Sequence, residues 1–153
     1  CGAKKGESMT LRLKVVNRQQ FEAKLKKQAT STAKNLQRAV RVAGNETRNE
    51  AVKSILQNPR AGAEVTRYNP KRTIKISAEG DPPAGDTGFL ANNIFLVMDN
   101  DGFGADVESR ADYSVFLEFG TRDMAARPFL QPALEQGRAK FKRLFTKAVK
   151  DGI

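Results

Sequence analysis

The 153-residue chain contains no histidine, and that absence removes much of the chemistry a protein of this size carries. Without an imidazole there is no Ser-His-Asp triad, no Cys-His dyad and no His-bearing zinc site. Carboxylates remain as acid–base candidates. Asp81, Asp86, Asp112 and Glu118 qualify by type, but no spacing sets two of them across a bond as a general acid and base must be set. Asp99-Asn100-Asp101-Gly102, with Asp106 and Glu108 beyond it, hints at calcium. In EF-hand register Phe103 and Arg110 fall where a ligand and the closing bidentate glutamate belong, so a solvated hairpin tip accounts better for the run. The glycines between 80 and 88 lack the Gly-Lys-Ser/Thr ending of a phosphate loop, and Gly102-Phe103-Gly104 lacks its third glycine. We expect no catalytic residue, cofactor or metal.

The charge points to partners instead. The net charge is +10, and it is segregated. Residues 1–57 carry 13 basic and 4 acidic side chains, residues 58–121 carry 6 and 10, and residues 122–153 carry 8 and 3. Two basic ends flanking an acidic middle suit contact with another copy, or the presentation of a basic face to phosphates. Tryptophan is absent, and Phe21 is the lone aromatic among the basic residues between Arg18 and Lys53. Stacking on single-stranded bases is therefore poorly supported, whereas phosphate contact without base reading stays open. The single cysteine, Cys1, cannot form an internal disulfide. No apolar run approaches the roughly 20 residues of a membrane span.

The elements that must position these groups follow from periodicity. Residues 1–8 read as a flexible leader, and residues 9–153 as one domain. Leu11, Leu13 and Val15 alternate with Arg12 and Lys14, a half-buried strand. Phe21, Leu25, Ala29, Thr32, Leu36, Val40, Ala43, Thr47, Ala51 and Ile55 then recur at steps of three or four. They predict one amphipathic helix over residues 17–57, N-capped by Asn17 and ended by Asn58-Pro59. Such a helix is on the order of 60 Å long, longer than a small domain is wide, unless Gly44-Asn45 kinks it. Residues 65–68 and 73–77 are short β-prone runs about Asn69-Pro70, and residues 78–88 are a loop. Residues 94–98 and the alternating Phe103, Ala105 and Val107 form a hairpin. A short helix over 112–119 is stopped by Gly120, and a closing helix runs over 129–150. The fold class is α+β: a long N-terminal helix, a small antiparallel sheet with a hairpin, and a C-terminal helix.

The segment 111–134, ADYSVFLEFGTRDMAARPFLQPAL, is the most distinctive. It reads as a helix, a glycine stop, a polar hook and a proline-fixed entry into a second helix. Phe119 and Phe129 bracket the hook, and Arg122 and Arg127 lie within it. The plain reading is a helix–helix connection with two core aromatics. The functional reading is an intersubunit surface, where aromatics and arginine are common anchors.

Three ordered motifs carry a resemblance. They are Tyr113 with Leu117-Glu118-Phe119-Gly120-Thr121; Ala126-Arg127-Pro128-Phe129-Leu130-Gln131-Pro132-Ala133; and, upstream, Pro82-Pro83 with Thr87-Gly88-Phe89-Leu90 through Ile94. The chain resembles the tail-component, or tail-completion, family of long-tailed phages, to which the minor tail protein Z of lambda is related. The likeness runs over roughly residues 16–150. Ser114 stands where the family has alanine and Asn93 where it has serine.

The resemblance implies a non-enzymatic structural part of the phage neck or tail, which completes tails and joins them to heads. It implies a homomeric, commonly hexameric, ring in the virion, assembled in the host cytoplasm, with no membrane partner. Tail-terminator, head-completion or tail-tube proteins are its expected neighbours. Tyr113, Glu118, Phe119, Gly120, Thr121, Arg122, Arg127, Pro128 and Phe129 are the expected interface residues. The alternative from a different class is a basic, sequence-independent DNA-binding protein, and a ring that passes DNA would touch phosphates in either case.

Overall fold

The helical stripe that begins at Phe21 and ends at Ile55 sets the plan of the molecule. In a computed structural model that describes residues 18–152, helix α1 spans Arg18–Leu56 without a break. Its 39 residues make a rod about 58 Å long. The expected strand at residues 11–15, the Asn17 cap and the leader lie outside the described residues. The helix passes straight through Gly44-Asn45. Gly44 stands where the rod meets a hairpin, and a Cβ there would overlap Leu96 Cδ1, so close packing explains the glycine. Past Leu56 the chain turns at Asn58-Pro59. Asn58 Nδ2 donates to the Pro82 carbonyl at 2.7 Å, and Asn58 Oδ1 accepts from the Arg60 backbone at 2.8 Å.

Two separate hairpins follow, where one small sheet is expected. Strands β1 (Glu64–Tyr68) and β2 (Lys71–Lys75) pair antiparallel about a cis Asn69-Pro70 bond. This ribbon is exposed almost throughout, and the Arg72–Asp86 ion pair at 2.8 Å ties it to the loop before residue 88. Strands β3 (Ile94–Met98) and β4 (Ala105–Ser109) form the second hairpin, with Leu96 opposite Val107. Period-2 alternation puts Ile94, Leu96 and Met98 on one face with Ala105, Val107 and Ser109. That face lies on α1 at Gly44. The hairpin tip is held there by Gln37 Nε2, which donates to the Asp101 carbonyl at 2.7 Å.

Between the hairpins, Gly88 at a φ of 78° starts the one-turn helix α2, Phe89–Asn92. Helix α3 covers Ser114–Phe119, two residues shorter at its start than the expected 112–119. Helix α4 covers Leu130–Lys150 and runs antiparallel to α1. Its start shares a core with Ala51 and Ile55, Lys140 pairs with Glu46 at 2.8 Å, and Gly152 lies against Thr32.

The core is the meeting point of these pieces: Ala51 and Ile55 of α1, Leu90 and Ala91 of α2, Ile94 of β3, then Ala111, Phe129 and Ala133. Among the described residues, no other element buries the front of α1, however. Every residue from Gln19 to Ser31 is exposed, including Phe21 and Leu25 of the stripe. Burial begins where α4 ends, at Thr32.

Candidate interaction surface

The hook between α3 and α4 is built from backbone constraints. Gly120 has φ 76° and ψ −179°, a conformation that only glycine adopts without strain. A Cβ there would lie 2.8 Å from the Met124 carbonyl oxygen and 2.9 Å from the Ala126 nitrogen. Thr121 and Met124 then form an isolated bridge, with the Thr121 N–H donating to the Met124 carbonyl at 2.8 Å. The Arg127 N–H donates to the Leu117 carbonyl at 2.7 Å, and the Ala126 carbonyl accepts from Gly80 at 3.1 Å. The chain is thus folded back on α3 and pinned to the preceding loop.

Glu118 closes the arrangement. Helix α4 starts at Leu130 without a capping side chain at Phe129, so its first N–H groups need an acceptor. The Glu118 carboxylate supplies it from α3. Oε2 accepts from the Phe129 and Leu130 nitrogens at 2.8 and 3.1 Å, and Oε1 accepts from Gln131 at 2.9 Å. A negative charge at a helix N-terminus is favoured by the backbone dipoles as well.

The expected interface residues therefore part company. Phe129 is 1% exposed and belongs to the core, whereas Phe119 is 75% exposed. Glu118 is engaged within the chain, and Gly120 and Thr121 shape the turn. Pro128 is half-buried and leads into Phe129. Arg122 is exposed. Arg127 Nε is buried and has no hydrogen-bond partner among the described residues. It borders a cleft of about 500 Å³ shared with Arg67, Phe89 and Tyr113. The Tyr113 ring lies 6.3 Å from that of Phe89, and burial pushes its phenol up from the ordinary value.

A largely apolar surface lies on the other side of α3, and of its exposed rim only Phe119 is among the residues expected from the sequence. Val115, Phe116, Phe119 and Leu134 are all more than half exposed. Three of them, Val115, Phe119 and Leu134, rim a groove of about 750 Å³ whose floor is Val40, Ala43 and Thr47 of α1, and whose far wall includes Phe141 and Phe145 of α4. Its near wall is β4. In the β3–β4 pair, Arg110 N donates to the Asn93 carbonyl and Asp99 N to the Gly104 carbonyl. This phase makes 95/108 and 97/106 the hydrogen-bonded pairs, so Ala105, Val107 and Ser109 direct their backbone groups away from β3. Among the described residues nothing pairs with that edge. On β3 the corresponding outward carbonyl, that of Ile94, accepts from Arg48 Nε at 2.8 Å. The alternation of Phe103, Ala105 and Val107 was the one signal of this wall in the sequence.

The described residues hold no group of three metal-ligating side chains, and no helix among them is long and apolar enough to cross a membrane. A family model described as "Bacteriophage HK97-gp10, putative tail-component" matches residues 19–120, about two thirds of the chain. The chain belongs to this HK97-gp10-like family of phage tail components. It is a structural, virion-associated tail component by that membership. The match takes in α1, both hairpins and the Leu117-Glu118-Phe119-Gly120 motif of the tail component. It ends before the Ala126-Arg127-Pro128-Phe129 block, which the resemblance had included. No curated protein and no solved structure matches the chain.

Proposed function

We propose that this tail component is a neck protein that completes the tail and joins it to the head, acting without chemistry, through a homomeric ring and contacts with its neighbours. Residues 9–153 act as one domain behind a short leader. The observation that carries the reading is the apolar rim on α3 and α4. Three large side chains there, Val115, Phe119 and Leu134, face solvent beside an open groove. A monomer gains nothing from exposing such a contiguous patch, and patches of this kind mark association surfaces. The exposed front of α1 with Phe21 and Leu25 supports the same reading. Tail-terminator, head-completion or tail-tube proteins are the partners this position in the virion calls for, with assembly in the host cytoplasm. Electron microscopy and sedimentation of the purified protein test it: closed rings are expected, and a monomer at all concentrations overturns the ring.

Basic surfaces favour a second reading, sequence-independent contact with DNA. Lys142, Arg143, Lys147 and Lys150 lie together near the end of α4, and Arg67, Lys71, Arg72 and Lys75 stud the exposed ribbon. Duplex affinity that falls steeply between two salt concentrations is the expected mark of phosphate contact. No binding at low salt removes this reading.

A further inference from the structure

The groove beside β4 presents two things at once: an apolar trough and a row of unpaired backbone groups. Water satisfies such an edge poorly when one side is a wall of Phe141 and Phe145. An added strand satisfies it well, because main-chain bonds provide affinity while alternate side chains enter the trough. The two faces of β4 specify what such a strand looks like. The face carrying Ala105 and Val107 is apolar. The opposite face carries Asp106, which is exposed and makes no ion pair among the described residues, and Glu108, which pairs with Arg110 at 2.9 Å. A strand that is apolar on one side and basic on the other is the complement.

Outside the described residues the chain has one such run. In residues 11–16, Leu11, Leu13 and Val15 alternate with Arg12 and Lys14. The length of chain decides whose copy it comes from. The groove floor begins at Val40, 22 residues along α1 from Arg18, which is about 33 Å at the helical rise. With residues 11–16 seated in the groove, only Asn17 remains to bridge that distance, and one residue spans about 3.5 Å. The segment therefore cannot reach the groove of its own chain.

We propose that the groove of one copy receives residues 11–16 of a second copy as an added strand on β4, with Leu11, Leu13 and Val15 in the trough and Arg12 and Lys14 beside Asp106. This contact deepens the ring reading and rests on it. It is head-to-tail, since donor and acceptor surfaces differ, and head-to-tail contacts give a ring where the rotation between copies closes.

The test uses the full chain carrying Leu11→Asp and Leu13→Asp, which disables its own segment, and a labelled synthetic peptide of residues 9–17, Met-Thr-Leu-Arg-Leu-Lys-Val-Val-Asn. Saturable binding is expected. Adding Asp106→Lys to the chain weakens binding about fivefold, as expected when a cross-strand pair turns from opposite to like charge. A peptide carrying Arg12→Glu and Lys14→Glu recovers it. Absence of binding, or binding indifferent to both reversals, overturns the proposal. Sedimentation separates this from the ring itself. If the Leu11→Asp/Leu13→Asp chain still closes rings, the strand exchange is wrong and the ring stands. If the unaltered chain forms open oligomers and no closed rings while the peptide follows the charge pattern, the strand exchange stands and the ring falls; a monomeric unaltered chain overturns both.

Discussion

Glu118 Oε2 lies 2.8 Å from the backbone nitrogen of Phe129, eleven residues later. Through this bond and its two companions, a residue of α3 caps α4, and the hook between them is held shut at both ends. The chain uses a distant carboxylate where most helices use a serine, threonine or aspartate at the position before the first turn.

Loss of that cap is expected to show as lost stability. Glu118→Ala removes an acceptor from three N–H groups and should lower the unfolding free energy by about 2 kcal/mol. Glu118→Gln keeps an acceptor oxygen but loses the charge, and should cost about half as much. Urea denaturation measures both, with an unchanged slope showing that the native fold persists. Equal stability of Glu118→Ala and the parent chain refutes the capping role.

Gly120→Ala attacks the same hook through the backbone. Its φ of 76° with extended ψ is forbidding to an L side chain, and the Met124 carbonyl stands 2.8 Å from the new Cβ. A loss of about 2 kcal/mol or more is expected from strain alone. A melting temperature within a degree of the parent contradicts this.

The two phenylalanines of the hook predict opposite outcomes. Phe129→Ala empties a fully buried site and should destabilise the chain by about 3–5 kcal/mol. Phe119→Ala trims a side chain that is 75% exposed, and should leave the single chain's stability within about 0.5 kcal/mol. Its effect is expected in association, read by sedimentation at rising concentration. If Phe119→Ala assembles like the parent, the rim of the groove is not a contact surface.

Arg127→Ala should yield a soluble, folded chain, because Arg127 Nε has no hydrogen bond to lose among the described residues. Circular dichroism should be unchanged, while ring formation and virion yield fall. Undiminished phage yield counts against a role for Arg127 in assembly.

Some of this architecture is plain in the sequence, and the reason is range. The stripe from Phe21 to Ile55, the apolar run at residues 94–98 with its alternating return, and the closing helix are local periodicities, and each sets its own element. Relationships between elements are not local. Nothing near Phe129 announces that its N–H is capped from residue 118, since pattern rules for caps reach only about three residues. Phe119 and Phe129 are the same residue type ten positions apart, and only the turn at Gly120 sends one outward and one into the core. The four-residue α2 is too short to show a period. Periodicity also marks Phe21 and Leu25 as apolar without saying what covers them, and in one chain α4 stops short of them. The groove wall at β4 depends on which strand edge lacks a neighbour, a fact of topology.

The overhang of α1 makes helical phase a property of the assembly and of more than the fold. From Gln19 to Ser31 the rod extends about 20 Å past its own body, so whatever meets Phe21 and Leu25 must find them at the right azimuth as well as the right distance. Two residues inserted into that stretch swing the stripe to the far side of the rod, and seven bring it nearly back while pushing it about 10 Å outward. In the proposed ring, the length of one helix would thus act as a ruler, setting how far apart adjoining subunits stand.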